Sequence, residues 1–196
     1  IEPIGRRGLA QVLNRTERTI RSDTDFLVQH GLLTVTGKGL ILTGEAHQLI
    51  DEVAPLIHEW LGMKALEEKL QKTLDLKEVY VLPGNSDEQP WVKQEMGKKA
   101  AEVLTKQVEE GSRIAVAGGS SMAAVADALG VNPKLKSVLF LPARGSFGEN
   151  LTLQANAICS RMAEKTGGKY RLLHVPDQLS DASYETLLAD PHINEI

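Results

Sequence analysis

The chain has 196 residues, 42% of them hydrophobic and 24% charged, the balance of a protein that folds around an apolar core and not of a disordered segment. Its length allows one ordinary domain plus a small one. No apolar run approaches the roughly 20 residues a bilayer-crossing helix needs, and no basic segment followed by an apolar core marks a secretory leader. The lone Cys159 has no internal disulfide partner and no metal ligands at useful spacing. A cytoplasmic protein without membrane partner, metal or cofactor is the expectation. The net charge of −4 is unevenly divided. Residues 1–38 hold six basic groups (Arg6, Arg7, Arg15, Arg18, Arg21, Lys38) and four acidic ones (Glu2, Glu17, Asp23, Asp25), a surplus of +2 that leaves −6 on the remainder. A mildly basic head on an acidic body suits local phosphate contact and not general polyanion binding. The start at Ile1 without a methionine, and the end at Ile196 after a helix-like segment, read as the cut ends of a longer chain.

Residues Arg7–Leu13 form a short amphipathic helix. Asn14 and Arg15 break it, and Thr16 caps the next helix through its hydroxyl. That helix runs from about Glu17 to His30 and is expected to bury Ile20, Phe26 and Leu27. Gly31 follows as the left-handed C′ residue. Two β-prone runs, 32–36 and 40–43, flank Gly37-Lys38-Gly39 and read as a hairpin. Helix, turn, helix and hairpin make a winged helix-turn-helix over residues 1–43, with its first helix missing. Arg18 and Arg21 stand three apart near the start of the reading helix, with Thr19 and Ser22 beside them, where Arg reaches guanine edges and Thr or Ser reaches bases or phosphates. With Arg15, Thr16 and, at the hairpin tip, Lys38, they form the candidate DNA-contacting set. A winged helix can also dock protein; the arginines on the reading helix favour DNA.

Residues 44–74 turn helical. Ala46, Leu49, Val53, Leu56, Trp60 and Met63 recur three and four apart as a heptad seam, which Leu66, Leu70 and Leu74 prolong. Pro55 and Gly62 predict a kink or a split. This linker either packs on its own domain or pairs with a second copy; DNA readers that cover two half-sites favour a homo-oligomer.

From residue 75 the pattern alternates strand and helix: a strand over 79–82, a helix from about Pro90 to Glu110, a strand over 114–117, a helix over Met122–Leu129, a strand over 138–141, a helix from about Leu151 to Lys165 and a strand over 170–175. This predicts an α/β fold with a Rossmann-like, mostly parallel sheet over 75–196. After the second strand, Gly118 and Gly119 allow a sharp bend, and Ser120 and Ser121 bring hydroxyls to a helix N-terminus, which favours an anion. The turn lacks the spacing and lysine of a Walker loop and the third glycine of a dinucleotide fingerprint. Gly and Ser also cap ordinary strand-to-helix turns. Arg144 at the carboxyl end of the next strand, with Gly145 and Ser146 beside it, favours phosphate, and Gln154 stands within reach of a sugar hydroxyl. His174 has no evident carboxylate partner and no nucleophile-base pair is visible, so binding without catalysis is expected. The alternative is a sugar-phosphate isomerase or deaminase with an appended DNA-binding head.

The runs RIAVAGGSSMAAVADAL (113–129) and LFLPARGSFGENLTLQANAICSRMAEKTGGKY (139–170) resemble the effector domain of the SorC family of bacterial sugar regulators. With GRRGLAQVLNRTERTIRSDTDFLVQHGLL (5–33) the likeness spans essentially the whole chain, and is nearest to the family's repressors of glycolytic genes. The resemblance implies an effector domain related in fold to sugar-phosphate isomerases and deaminases but without their activity. It implies fructose-1,6-bisphosphate as the inducer, with one phosphate on Gly118, Gly119, Ser120 and Ser121 and further contacts from Arg144 and Gln154. Two departures stand out. The family relative has threonines where this chain has Ser120 and Ser121, which keeps the hydroxyls and loses methyl packing. The family's effector domain also extends past the point matching Ile196, so the implied pocket is partial.

Overall fold

The computed structural model describes residues 3–145, 150–176 and 178–191, and the chain divides into two compact units, Ile1–Pro83 and Gly84–Ile196. In the first unit, α1 (Arg6–Val12) leads through Asn14, in left-handed conformation, to α2 (Glu17–Gln29). The Thr16 hydroxyl accepts from the Thr19 N–H, so the expected N-cap is formed. Ile20 and Thr24 are buried and Leu27 is half-buried, a four-then-three spacing that lines one side of a helix. Phe26 falls about 100° away from Leu27 on that wheel and is 58% exposed, against the expectation that it is buried; its ring instead lies 4.1 Å from that of His30. The buried polar group in its place, Thr24, donates to the Arg21 carbonyl and accepts from Arg6 Nε. Gly31 takes the expected left-handed conformation, with φ 73°.

Strands β1 (Leu33–Thr36) and β2 (Gly39–Leu42) pair antiparallel about Gly37-Lys38, with Thr36 opposite Gly39. Ile4 adds an antiparallel bridge to Leu40 that the sequence did not announce. A Cβ on Gly39 would sit 2.8 Å from the Ile4 backbone, so glycine is required where that third segment crosses. Thr43 then caps α3 (Gly44–Trp60) by accepting from the Ala46 N–H. The expected interruption falls at Gly62, left-handed with φ 71°, and α4 (Met63–Leu74) follows; Pro55 is accommodated inside α3. Ala46 at the base of the heptad seam is buried, whereas Leu56 is 67% and Trp60 86% exposed.

The expected strand over 79–82 does not form. Glu67 Oε1 accepts the Val81 N–H at 2.8 Å, and His58 Nε2 lies 3.3 Å from the Val81 carbonyl and 3.2 Å from Glu67 Oε1. Side chains of α3 and α4 therefore take the backbone groups that a ladder would have used.

The second unit opens with α5 (Pro90–Gln107), whose proline sits in the first turn where no N–H is needed. Strands β3 (Arg113–Val116), β4 (Leu139–Pro142) and β5 (Lys169–Tyr170) form a parallel sheet in that order. Helix α6 (Ser120–Ala128) connects the first two strands, α7 (Ala155–Thr166) the second two, and α8 (Asp181–Leu188) follows. Phe140, Leu135, Val138, Val116, Ile158, Cys159 and Met162 are fully buried between helices and sheet. The parallel α/β expectation thus holds, although β5 stops at Tyr170 and does not run to residue 175. There the Asn156 side chain donates to the Leu173 carbonyl and accepts its N–H, both at 2.9 Å, and replaces a strand partner. The predicted helix from Leu151 is a short 3-10 turn, Leu151–Leu153, before α7 begins.

Candidate functional sites

In the first unit, Arg15, Thr16, Arg18, Thr19, Arg21, Ser22 and Lys38 are all exposed. Opposite the buried Ile20–Thr24 line, helical spacing gathers Arg18, Arg21, Ser22 and Asp25 on one face. The acid on that face is taken: Asp25 pairs with Arg6, while Arg7 pairs with Glu17. Among the described residues Arg15, Arg18 and Arg21 have no carboxylate partner, so their charge faces solvent. Thr16 and Thr19 are tied to one another, hydroxyl to hydroxyl at 2.8 Å, which fixes Thr16 first as a cap. Lys38 stands at the hairpin tip beside Gly37.

In the second unit the glycine-serine turn sits just past β3. Gly119 adopts φ 111°, ψ 164°, a conformation open essentially to glycine alone. Its N–H donates to the Leu153 carbonyl at 2.8 Å, and a Cβ on Gly118 would lie 2.8 Å from that same oxygen. Gly118 is therefore needed for close approach, and Gly119 for direction. This contact brings the start of α6, at Ser120, beside the start of α7, which follows Gln154. Among the described residues neither helix has a side-chain hydrogen bond capping its N-terminus. Two helix N-termini, and with them two positive dipole ends, thus meet at one end of the sheet, an arrangement that favours an anion.

Arg144 reaches the same edge by register. Val116 pairs with Pro142 across the parallel strands, so Gly118 and Arg144 each lie two residues past that pair. The Ala143 N–H donates to the Val116 carbonyl at 2.9 Å, which extends the alignment. Arg144 is exposed and Gln154 half-buried. Gly145 packs so tightly that a Cβ would lie 2.4 Å from the Val175 and Pro176 carbonyl oxygens. Ser146 lies outside the described residues. Sequence reasoning missed Lys93, whose Nζ donates to Ser120 Oγ at 3.2 Å from α5. The two are 27 residues apart, and only the packing of α5 on α6 joins them. Both belong to the wall of a cavity of about 350 Å³, with Ala123, Ala124 and Leu153 as apolar lining.

The first unit thus has the helix, helix and hairpin of a winged helix-turn-helix, and the second is a parallel α/β unit with an anion-favouring turn at the carboxyl end of a strand. Residues 58–196 match the family model described as "Putative sugar-binding domain", and residues 1–57 match that of the CggR N-terminal DNA binding domain. The chain belongs to this sugar-binding family, that of the SorC-type transcriptional regulators. It is 43% identical over 197 residues to the Central glycolytic genes regulator of Priestia megaterium, covering all of this chain and 58% of that protein. The chain thus spans less than two thirds of the length of this curated relative. Among solved structures, the "putative SorC family transcriptional regulator" of Enterococcus faecalis is 39% identical with a TM-score of 0.58, over 67% of this chain and 54% of that one. The full-length sorbitol operon regulator SorC of Klebsiella pneumoniae is 17% identical with a TM-score of 0.62, over 98% of this chain and 57% of that one, a likeness of fold.

Proposed function

We propose that the chain reads operator DNA and senses a phosphorylated sugar as part of a repressor of glycolytic genes, with fructose-1,6-bisphosphate as the effector. The observation that carries the reading is the meeting of two helix N-termini, with Arg144 in register beside them, at one end of the parallel sheet. In this reading Gly118, Gly119, Ser120 and Ser121 cradle one phosphate, Arg144 grips it from the neighbouring strand, and Gln154 bonds the sugar. Arg18, Arg21, Thr19 and Ser22 read the major groove, and Arg15, Thr16 and Lys38 hold flanking phosphates. The exposed Leu56 and Trp60 belong to a face that pairs with a second copy, which sets two reading helices on two half-sites. The protein acts in the cytoplasm, where the operator is, and transforms no substrate.

Fluorescence-anisotropy titration of DNA from upstream of glycolytic genes, with and without fructose-1,6-bisphosphate, tests this. A shift of at least about fivefold in DNA affinity is expected, whereas equal affinity in both conditions overturns the effector assignment. Arg21→Ala weakens DNA binding by about 1–3 kcal/mol and leaves effector binding intact. Turnover of sugar phosphates on incubation would instead favour an isomerase or deaminase.

A further inference from the structure

Helix α5 carries four lysines, and their surroundings differ. Lys98 pairs with Glu95, and both Lys99 and Lys106 pair with Glu102. Those last two, Lys106 foremost, hold the Glu102 carboxyl below its ordinary pKa. Three of the four ammonium groups are thus paired within the helix, two of them sharing one carboxylate. Lys93 has no carboxylate partner among the described residues, and its ammonium donates to the hydroxyl of Ser120, the first residue of α6. The placement is fixed by packing. One turn further along both helices, Gly97 meets Ala124, where a Cβ on Gly97 would lie 2.5 Å from the Ala124 carbonyl oxygen. Residues 93 and 120 therefore advance together with 97 and 124, and α5 and α6 run side by side in parallel register. The close approach that glycine permits is what brings a lysine from α5 to the mouth of the turn.

Resting on the reading of that turn as a phosphate site, we propose that Lys93 is a specificity-determining residue of the site, supplying the cation that makes it select phosphorylated over uncharged sugars. Helix N-termini and hydroxyls favour any acceptor, and they bring only partial charge. A full positive charge adjoining Ser120 discriminates by charge, since a phosphate monoester carries about −1.5 to −2 at neutral pH. Arg144 approaches from β4 and Lys93 from α5, so the ligand's phosphate lies between cations delivered by different elements. Lys93 also keeps Ser120 oriented before ligand arrives, and exchanges that hydroxyl for a phosphate oxygen on binding.

The test is calorimetric titration of the full chain with fructose-1,6-bisphosphate and with inorganic phosphate, at two salt concentrations. The variants are Lys93→Met, Lys93→Gln, Lys93→Arg and Arg144→Ala. Met and Gln are each expected to weaken fructose-1,6-bisphosphate about tenfold, as loss of a charge-assisted bond does. Both should flatten the salt dependence of the affinity, and Arg should restore both quantities. Gln still hydrogen-bonds Ser120, so wild-type affinity in Lys93→Gln reduces Lys93 to a prop and overturns the proposal. Unchanged affinity in Lys93→Met beside a loss in Arg144→Ala overturns it too, and leaves the reading of the site intact. A wild-type chain that binds neither probe overturns both.

Discussion

Gly119 and Arg144 serve the candidate effector site in opposite ways. Gly119 contributes a backbone path and Arg144 a charge, so their replacement separates folding from binding. An alanine at 119 must hold φ near 111°, a strained state that costs about 1–3 kcal/mol. Gly119→Ala is therefore expected to lower the thermal midpoint of the second unit and weaken the effector together, as followed by circular dichroism and calorimetry. Arg144→Ala, at an exposed position, should leave the midpoint nearly unchanged and weaken the effector alone. A Gly119→Ala protein with wild-type melting would show that the turn relaxes freely. At this scale local chemistry was legible: the Thr16 cap and the left-handed Gly31 follow from neighbours in the chain. Phe26 and Lys93 were not. Burial of Phe26 turned on which helical line faces the core, and Lys93 meets Ser120 through an interhelical contact that spacing does not encode.

Helices α5 and α6 illustrate how an element's position depends on a missing atom. Gly97→Ala places a methyl 2.5 Å from a backbone carbonyl oxygen, which cannot rotate away. The helices must part, at about 1–3 kcal/mol, and Lys93 must withdraw from Ser120 with them. The expected result is a lower denaturant midpoint and a weaker effector, although residue 97 itself touches no ligand; an unchanged midpoint would mean that the crossing yields without cost. Elements with a strong local period, α2, α5, α6 and the β1–β2 hairpin, emerged where the sequence places them. The segments around Val81 and Leu173 did not become strands, for one shared reason. Glu67, His58 and Asn156, each far away along the chain, satisfy their backbone groups. Propensity registers the apolar run and not the distant side chain that competes for its hydrogen bonds.

Over the whole molecule, the net charge of −4 does not oppose a DNA-binding role. Fields are screened beyond about 8 Å at physiological salt, so a phosphate near α2 responds to Arg18 and Arg21 and hardly to acids elsewhere. The sequence places the change from helix-and-hairpin pattern to strand-helix alternation at residue 75, whereas the two compact units divide between Pro83 and Gly84. What lay beyond reading was the tie between the starts of α6 and α7, made by the Leu153 carbonyl 34 residues after Gly119. Periodicity locates each helix but does not state that two of them begin side by side.

Cys159 is the single cysteine of the chain and is fully buried in the core of the second unit. Burial pushes its thiol up to about 11 from an ordinary value of 9.0, so at pH 7 only about one in ten thousand is thiolate, the reactive form. The molecule thus carries its own unfolding clock. A thiol reagent should label the native protein only at the rate at which the second unit opens, and a ligand that binds the native second unit should slow that labelling. The same shift implies stability that is fully present below pH 9 and drains away as pH rises towards 11, since the unfolded thiol ionises first. Labelling as fast as in urea would mean that the native core is open.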